Sequence, residues 1–309
     1  MAGVLLLLPL VFPLRFYAGA DLPSAEERAL TYLAREVPRW KAENNCYSCH
    51  NNGDAARALF AAVRQRRDVP AKAIEDTVRF LALPAEWDKN GPEGPFKDKK
   101  LARIQFATAL GDAIDTGVLK DRKPLVQAAE LIAELQAANG SFPIEGAEQL
   151  GSPVTYGLAL TTVRSRQTLL TVDRERYRGH IARADAWLAD AKVESLLDAA
   201  ALLLVEPNAE KRRQYLDLIR RGQSKDGGWG PYTTSPSEAF DTAIVLLTLV
   251  KHRAEPEVDK MIAKGRGYLL ATQQPDGSWP ETTRPPRAES YAQRLSTTGW
   301  ATLALLAAR

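Results

Sequence analysis

The sequence predicts an all-α protein built from six helical hairpins. Two observations lead to this prediction: a turn motif recurs along the 309-residue chain, and apolar residues recur at helical spacing between its copies. The clearest copy is Gln273 followed by Gly277-Ser278-Trp279. Two earlier copies keep the same order of residue types: Gln223 before Gly227-Gly228-Trp229, and Gln136 before Gly140-Ser141-Phe142.

Prolines and charge divide the chain into these hairpins. Pro70, Pro124 and Pro207 each interrupt an apolar pattern and start a new helix. The second helix of a hairpin is apolar nearly all round, as at 199–204, whereas the first carries more charge, as at 210–213. We therefore expect the second helix to be buried and the first to lie outside it. The predicted hairpins span residues 24–66, 70–117, 121–165, 174–205, 208–252 and 256–308.

The turn from Gln273 to Trp279 resembles the Gln-Trp repeat of squalene–hopene cyclases and prenyltransferase β subunits. The resemblance covers nearly the whole chain after residue 20 and is strongest in the last two hairpins. It implies an (α/α)6 toroid, in which six inner helices form a barrel ringed by six outer helices, as a single domain over residues 21–309. It also implies that Trp229 and Trp279 staple turns rather than bind ligand.

The chain departs from the catalytic motifs of these families. Such cyclases protonate their substrate with an Asp-x-Asp-Asp motif, and the nearest run here is Glu238-Ala239-Phe240-Asp241. Prenyltransferases use an Asp/Cys/His zinc site, but both cysteines of this chain belong to a different motif. Because fold alone does not transfer function, we expect neither cyclase nor prenyltransferase activity.

That different motif is Cys46-Tyr47-Ser48-Cys49-His50, which has the Cys-x-x-Cys-His pattern of c-type haem attachment. Two thiols at this spacing can each add to a vinyl group of one haem, and the adjacent imidazole can bind the iron. We predict one covalent haem c attached through Cys46 and Cys49, with His50 as the metal ligand. In the toroid, the motif occupies the first outer-to-inner turn.

The predicted haem-binding segment covers residues 40–53, in which Trp40 and Tyr47 are the aromatic residues closest to the attachment site. Acid–base help beside the haem would come from Asp54, Glu93 or Arg57. Because the outer-to-inner turns of a toroid share one rim, other turns can supply aromatic cover. These rim aromatics are Trp87, Phe96, Phe142, Trp229, Tyr232 and Trp279.

Three other interpretations of the two cysteines remain open. A thioredoxin-like dithiol would need a βαβ context, and a zinc site would need further ligands, although His180 and His252 each stand alone. A structural disulfide would leave His50 without a role. We expect His180, His252 and Met261 to lie too far from the motif to bind the iron on its second side.

The first 20 residues predict export. Residues 4–14 form an apolar run too short to span a bilayer comfortably, and residues 18–20 are an Ala-Gly-Ala cleavage site. We predict a signal peptide over residues 1–20 and a periplasmic or otherwise exported protein. Because no basic residue precedes the apolar run, an uncleaved anchor is the alternative, and it would make the only membrane contact.

The composition is that of a globular protein with a formal net charge of +3, and no polybasic stripe indicates nucleic-acid binding. Export, haem c and the lack of another catalytic group predict one-electron transfer to a redox partner protein. Two alternatives remain. The first is a haem-dependent oxidoreductase or gas-binding protein with an open iron site, and the second is a toroid interaction module within a redox complex. A small apolar ligand could also occupy the toroid.

Overall fold

The computed structural model describes residues 23–90, 98–146, 150–284 and 290–309. Within these ranges the chain is helical, and no strand is present. A π-helix, Cys49–Ala55, leads directly into α2, and short 3-10 segments lie at Ala71–Ala73, Pro84–Lys89 and Val250–His252. The α-helices are α1 (Ala25–Asn44), α2 (Ala56–Arg64), α3 (Glu75–Leu81), α4 (Lys99–Asp115), α5 (Lys123–Ala133), α6 (Leu158–Val172), α7 (Arg178–Asp190), α8 (Leu196–Leu203), α9 (Ala209–Gly222), α10 (Ala239–Leu249), α11 (Val258–Thr272) and α12 (Tyr291–Ala307).

The helices form six hairpins arranged in a closed ring. The even-numbered helices pack side by side in chain order, and α12 closes the ring against the π-helix and α2. The odd-numbered helices pack on the outside of this inner ring. The predicted (α/α)6 toroid is therefore confirmed. The third hairpin is longer than predicted, because α6 continues to Val172 rather than ending at residue 165.

Burial separates the two rings as the composition predicts. In α10 every residue except Leu247 is buried, as expected for a helix surrounded on all sides. In α9, which lies outside, burial is restricted to one stripe of four residues. That stripe consists of Tyr215, Leu216, Ile219 and Gly222.

The glutamines of the turn motif join neighbouring hairpins. In the last turn, Gln273 Nε2 donates to the Gly277 carbonyl at 3.1 Å and to the Ala25 carbonyl at 2.8 Å. The second bond reaches the first residue of α1 and so ties the end of the ring to its beginning. Gln223 and Gln136 make the same pair of bonds, each to its own turn and to the next outer helix.

Tryptophan and glycine complete the turns that follow Gln223 and Gln273. Trp279 is fully buried, and its Nε1 donates to the Leu269 carbonyl at 2.9 Å. Gly277 has φ +91°, and a Cβ there would lie 2.4 Å from the Arg28 carbonyl oxygen, so only glycine fits. Trp229 is buried in the same way and bonds Ile219, so the structural role expected for both tryptophans is confirmed.

The predicted signal peptide, residues 1–20, lies outside the described residues. Of the helices described, none combines the length and the apolar character that crossing a membrane requires.

Candidate functional site

The first outer-to-inner turn is held by asparagines instead of the glutamine staple. Asn90 Oδ1 accepts from the Tyr47 N–H at 2.7 Å, and Asn90 Nδ2 donates to the Tyr47 carbonyl at 2.6 Å. Asn51 Nδ2 donates to the Glu36 carbonyl at 2.8 Å, and Asn52 Nδ2 donates to Thr77 Oγ1 at 2.7 Å. These bonds connect the turn to α1 and α3.

The chain leaves this turn as a π-helix, a form often found at functional sites. Ser48 caps it, since its side chain accepts from the N–H groups of His50 and Asn51. The α12 backbone packs closely against the other end, because a Cβ at Gly299 would lie 2.8 Å from the Ala55 Cα. The π-helix is therefore fixed at both ends, and its side chains have defined positions.

Cys46 and Cys49 are free thiols, and each is half-buried. Trp40 Nε1 lies 3.3 Å from Cys46 Sγ and donates to it. Burial raises the pKa of Cys49 to about 12, which keeps this group a neutral thiol. No bond joins the two sulfurs, so the structure does not use the pair as a structural disulfide.

His50 follows on the first turn of the π-helix. Its Nδ1 is 2.9 Å from Ser296 Oγ on α12, and no described residue forms a hydrogen bond with Nε2. Burial lowers the pKa of His50 to about 4, so the imidazole is neutral at physiological pH. A neutral imidazole oriented through one nitrogen with the other free is the arrangement that an iron ligand requires, so these residues fit the haem motif.

The predicted aromatic residues pack the protein around this turn. Tyr47 stacks on Phe80 with ring centroids 4.0 Å apart, and Trp40 stacks on Tyr291 at 6.0 Å. Among the predicted rim aromatics Phe96 lies outside the described residues, and Tyr232 is 46% exposed. The remaining four are buried in the protein core: Trp87, Phe142, Trp229 and Trp279.

The residues considered as second iron ligands have other partners. His180 Nδ1 is 2.8 Å from Gln136 Oε1, and His252 Nε2 is 3.3 Å from the Leu203 carbonyl oxygen. Met261 is buried against the core. Across the described part of the chain, no group of three or more His, Cys, Asp or Glu side chains is placed to hold a metal ion.

A polar stripe continues from the motif into the toroid. His50, Asp54 and Arg57 follow one another at helical spacing, so they lie on one face of the first inner helix. Asp54 is fully buried; the Tyr156 hydroxyl donates to its Oδ1, and Gln105 Nε2 donates to its Oδ2 at 2.8 Å. Burial raises the pKa of Asp54, although Arg57 and the hydrogen bonds act against this.

Two arginines surround one tryptophan at the deep end of the stripe. Arg57 Cζ lies 4.6 Å from the Trp300 ring centroid, and Arg164 Cζ lies 5.1 Å from it. Arg57 Nε also donates to Asp112 Oδ2 at 2.6 Å. The Tyr156 ring packs edge-on against Trp300, with ring centroids 5.8 Å apart. Trp300 therefore contacts both arginines and also the tyrosine that hydrogen-bonds Asp54.

A second buried acid, Asp241, lies in the first turn of inner helix α10. Arg284 Nη2 donates to both of its carboxylate oxygens, at 2.6 and 2.8 Å, and Arg284 Nη1 donates to Glu238 at 2.7 Å. Burial raises the pKa of Asp241 to about 7, with the Arg284 charge acting against it. Arg284 Nε donates to the Gly151 carbonyl, so this ion pair also ties two loops together.

Glu93, one of the three acid–base candidates, lies outside the described residues, whereas the structure brings Asp54 and Arg57 together. The sequence analysis did not single out Tyr156, Arg164 or Trp300 as site residues. A usable signal existed for the arginine, because Arg164 directly follows a run of five buried residues, 159–163, in α6. No local pattern marks Tyr156, which is 102 residues from the aspartate that it contacts.

Part of the sequence is similar to squalene–hopene cyclases. The squalene-hopene cyclase C-terminal domain family matches residues 185–309, less than half of the chain. Squalene–hopene cyclase from Bradyrhizobium diazoefficiens is 38% identical over 81 residues. This match covers 22% of the present chain and 12% of that enzyme, so the chain aligns with only a small part of its curated relative.

Known structures with the same fold include two cyclases. The type II terpene cyclase MstE from Scytonema aligns with a TM-score of 0.57 at 14% identity, covering 91% of this chain and 97% of that one. ent-Copalyl diphosphate synthase from Streptomyces platensis aligns with a TM-score of 0.53 at 20% identity, covering 84% and 50% respectively. At these identities the likeness shows the fold.

These comparisons overturn the redox function predicted from the haem motif. The matches reported above are to terpene cyclases, and none of them is to an electron carrier, a haem enzyme or a module of a redox complex. The prediction of one-electron transfer is therefore wrong. The expectation that cyclase chemistry is absent is corrected with it, since it rested on one missing motif, and a buried acid does lie inside the toroid.

Proposed function

We propose that the protein is a terpene-cyclase-like enzyme in which Asp54 donates a proton to an isoprenoid substrate. The observation that carries the proposal is the fully buried Asp54 carboxyl on the inner ring, whose pKa burial raises. A carboxyl in this environment holds its proton more readily than one in water and can deliver it to a carbon–carbon double bond. The single acid would replace the missing Asp-x-Asp-Asp motif.

The proposed step balances without a cofactor. The Asp54 proton forms a new C–H bond with electrons from a substrate double bond, and the resulting cation is attacked by the next double bond to close a ring. A later carbon gives up a proton to solvent, and Asp54 regains one from solvent, so the product is an isomer of the substrate. Tyr156 and Gln105 would orient the Asp54 carboxyl, because each donates to one of its oxygens.

Asp54 is a better candidate than Asp241. Both carboxyls are fully buried, but both oxygens of Asp241 accept from the Arg284 guanidinium. A bidentate guanidinium contact favours the ionised form, which has no proton to give. The side chains that hydrogen-bond Asp54 are a phenol and an amide, which are neutral and compatible with a protonated acid.

Product analysis tests the proposal. Purified protein is incubated with squalene or with geranylgeranyl dihydroxybenzoate, which a structure of the MstE cyclase contains as its substrate, and the extracts are analysed by mass spectrometry. We expect cyclic isomers with the wild-type protein and with Asp185→Asn, a control on outer helix α7. Asp54→Asn should abolish them. Loss of product in Asp241→Asn but not in Asp54→Asn would assign the acid to Asp241 and contradict the proposal.

We also propose that the first turn carries one covalent haem c. Two free thiols, and an imidazole whose Nδ1 is bonded to Ser296, support this assignment. Cys46 and Cys49 would hold the haem, and His50 would bind its iron, which would supply a metal centre beside the toroid rim. Intact-mass measurement of protein expressed with haem-maturation machinery should show one added haem, and Cys46→Ala together with Cys49→Ala should remove it.

Export to the periplasm, or beyond the cytoplasm in another compartment, follows as part of the haem proposal, because c-type haem is normally attached there. Among the predicted partners, a small apolar ligand in the toroid agrees with the proposed isoprenoid substrate, whereas a redox partner protein stays an untested prediction. Fractionation of expressing cells, with N-terminal sequencing of the mature chain, would distinguish cleavage after residue 20 from a retained anchor.

A further inference from the structure

The deep end of the polar stripe contains hydrogen-bond donors without acceptors. Arg57 is 5% exposed, and its Nη1 is buried without a hydrogen-bond partner in the described part of the chain. Arg164 Nε is likewise buried and unpaired. A buried donor without an acceptor costs free energy, so such groups in a folded protein indicate a missing partner. Here the guanidiniums of Arg57 and Arg164 each have an N–H group without an acceptor, and both lie beside the Trp300 ring.

The balance of charge around Arg57 and Arg164 also indicates a missing negatively charged partner. Asp112 is the acid paired with Arg57, and no described acid forms an ion pair with Arg164. Burial, together with the nearby charge of Arg57, lowers the pKa of Arg164 to about 10. Lys251 lies close enough to Arg164 for the two charges to repel each other. Three positive groups, Arg57, Arg164 and Lys251, therefore face two carboxylates, Asp112 and Asp54.

We infer that Arg57 and Arg164 form a binding site for a phosphate-class oxyanion inside the toroid. Guanidinium groups match oxyanions in geometry, since they present several N–H donors in one plane. A tetrahedral phosphate or diphosphate has enough oxygens to accept from two separate arginines. The site is distinct from the proton donor proposed at Asp54, and it does not depend on that proposal.

Two residues at the edge of the site are in contact with solvent. Asp112, the partner of Arg57, keeps 35% of its side chain exposed, and Lys251 is an exposed residue just beyond the end of α10. We expect an anion to approach the arginines from this end of the barrel, where the C-terminal ends of α4 and α10 lie. The positive charge of Lys251 would favour its approach.

Binding is tested with three probes: inorganic pyrophosphate, farnesyl diphosphate and farnesol. Pyrophosphate should raise the Tm of the wild-type protein by about 4 °C or more at roughly a hundredfold excess over Kd. Arg164→Gln should fold normally, because Arg164 makes no ion pair with a described residue, and its affinity should fall at least about tenfold. Arg178→Gln, at a position 80% exposed, is the matched control and should bind like wild type.

The probes distinguish the sources of the anion. Binding of pyrophosphate supports a free anion, whereas binding of farnesyl diphosphate alone supports the head group of a lipid, and either requires that Arg164→Gln weaken it. Equal binding of farnesol and farnesyl diphosphate, binding unchanged in Arg164→Gln, or no binding of either anion would overturn the inference. Asp54→Asn should still bind pyrophosphate, because the mutation leaves both arginines in place, so failure of the proton-donor proposal is measured separately.

Discussion

The last and the first outer-to-inner turns both connect an outer helix to an inner helix, but different residues hold them in place. In the last turn, Gln273 and Trp279 use their side-chain N–H groups to bond backbone carbonyls, both within the hairpin and at Ala25 of α1. The first turn has no such staple. Cys46, Cys49 and His50 occupy that place, and the turn is held to its neighbours by asparagines such as Asn90.

The difference shows where a repeat protein can hold a functional site. A stapled turn directs its side chains into contacts that stabilise the ring, so substitutions there should change stability. The first turn leaves an imidazole nitrogen without a described partner and continues into the stripe that contains Asp54 and Arg57. Substitutions there should change chemistry and binding more than stability.

The largest effect is expected at the stapled tryptophan. Trp279→Ala removes a fully buried ring and its bond to Leu269, so the free energy of unfolding should fall by about 3–5 kcal/mol. Urea unfolding followed by circular dichroism measures this change. Tyr232→Ala, at an aromatic residue 46% exposed, is the control and should change stability by less than about 1 kcal/mol. Equal losses in both variants would contradict the stapling role.

A smaller effect is expected at the glutamine that closes the ring. Gln273→Ala leaves the carbonyls of Ala25 and Gly277 without their donor, which should cost about 1–3 kcal/mol. Gln214→Ala on the exposed side of α9 should cost less than about 0.5 kcal/mol. Hydrogen exchange should show faster opening of α1 in Gln273→Ala, and unchanged exchange there would contradict ring closure through this residue.

The stripe that begins at the first turn should change how stability depends on pH. Burial raises the pKa of Asp54 above its unfolded value, so the protonated carboxyl favours the folded state. That contribution is present below the ordinary aspartate pKa and is lost as pH rises through the raised value. Asp54→Asn should therefore lose less stability than wild type as pH rises from 4 to neutral. If the stability of wild type and of Asp54→Asn changed with pH in parallel, the pKa of Asp54 would not differ between the folded and unfolded states.

The smallest change in stability is expected at the haem motif itself. Cys46→Ser alters a half-buried side chain whose described side-chain contact is the Trp40 N–H, so protein prepared without haem should change by less than about 1 kcal/mol. The same variant should lose one of the two covalent links to haem. A loss comparable to that of Trp279→Ala would mean that the first turn is a structural staple as well.

Local sequence signals predict most of the fold and part of the site. Prolines and the Gln273–Trp279 pattern define the hairpins, because turn chemistry is local. Asp54 and Arg57 are recognisable as charged residues in an apolar helix, and both belong to the site. Tyr156 and Trp300 could not be assigned to it, since their contacts cross the ring and depend on how the inner helices are rotated.

The most direct test of the central claim is to run the reaction in deuterium oxide. Asp54 exchanges its proton with solvent, so a cyclic product formed by the wild-type protein should contain one deuterium at the carbon that Asp54 protonates, and Asp54→Asn should form no product. Mass spectrometry of the extracted product gives the result. A cyclic product without deuterium, or the same product from Asp54→Asn, would contradict proton donation by this residue.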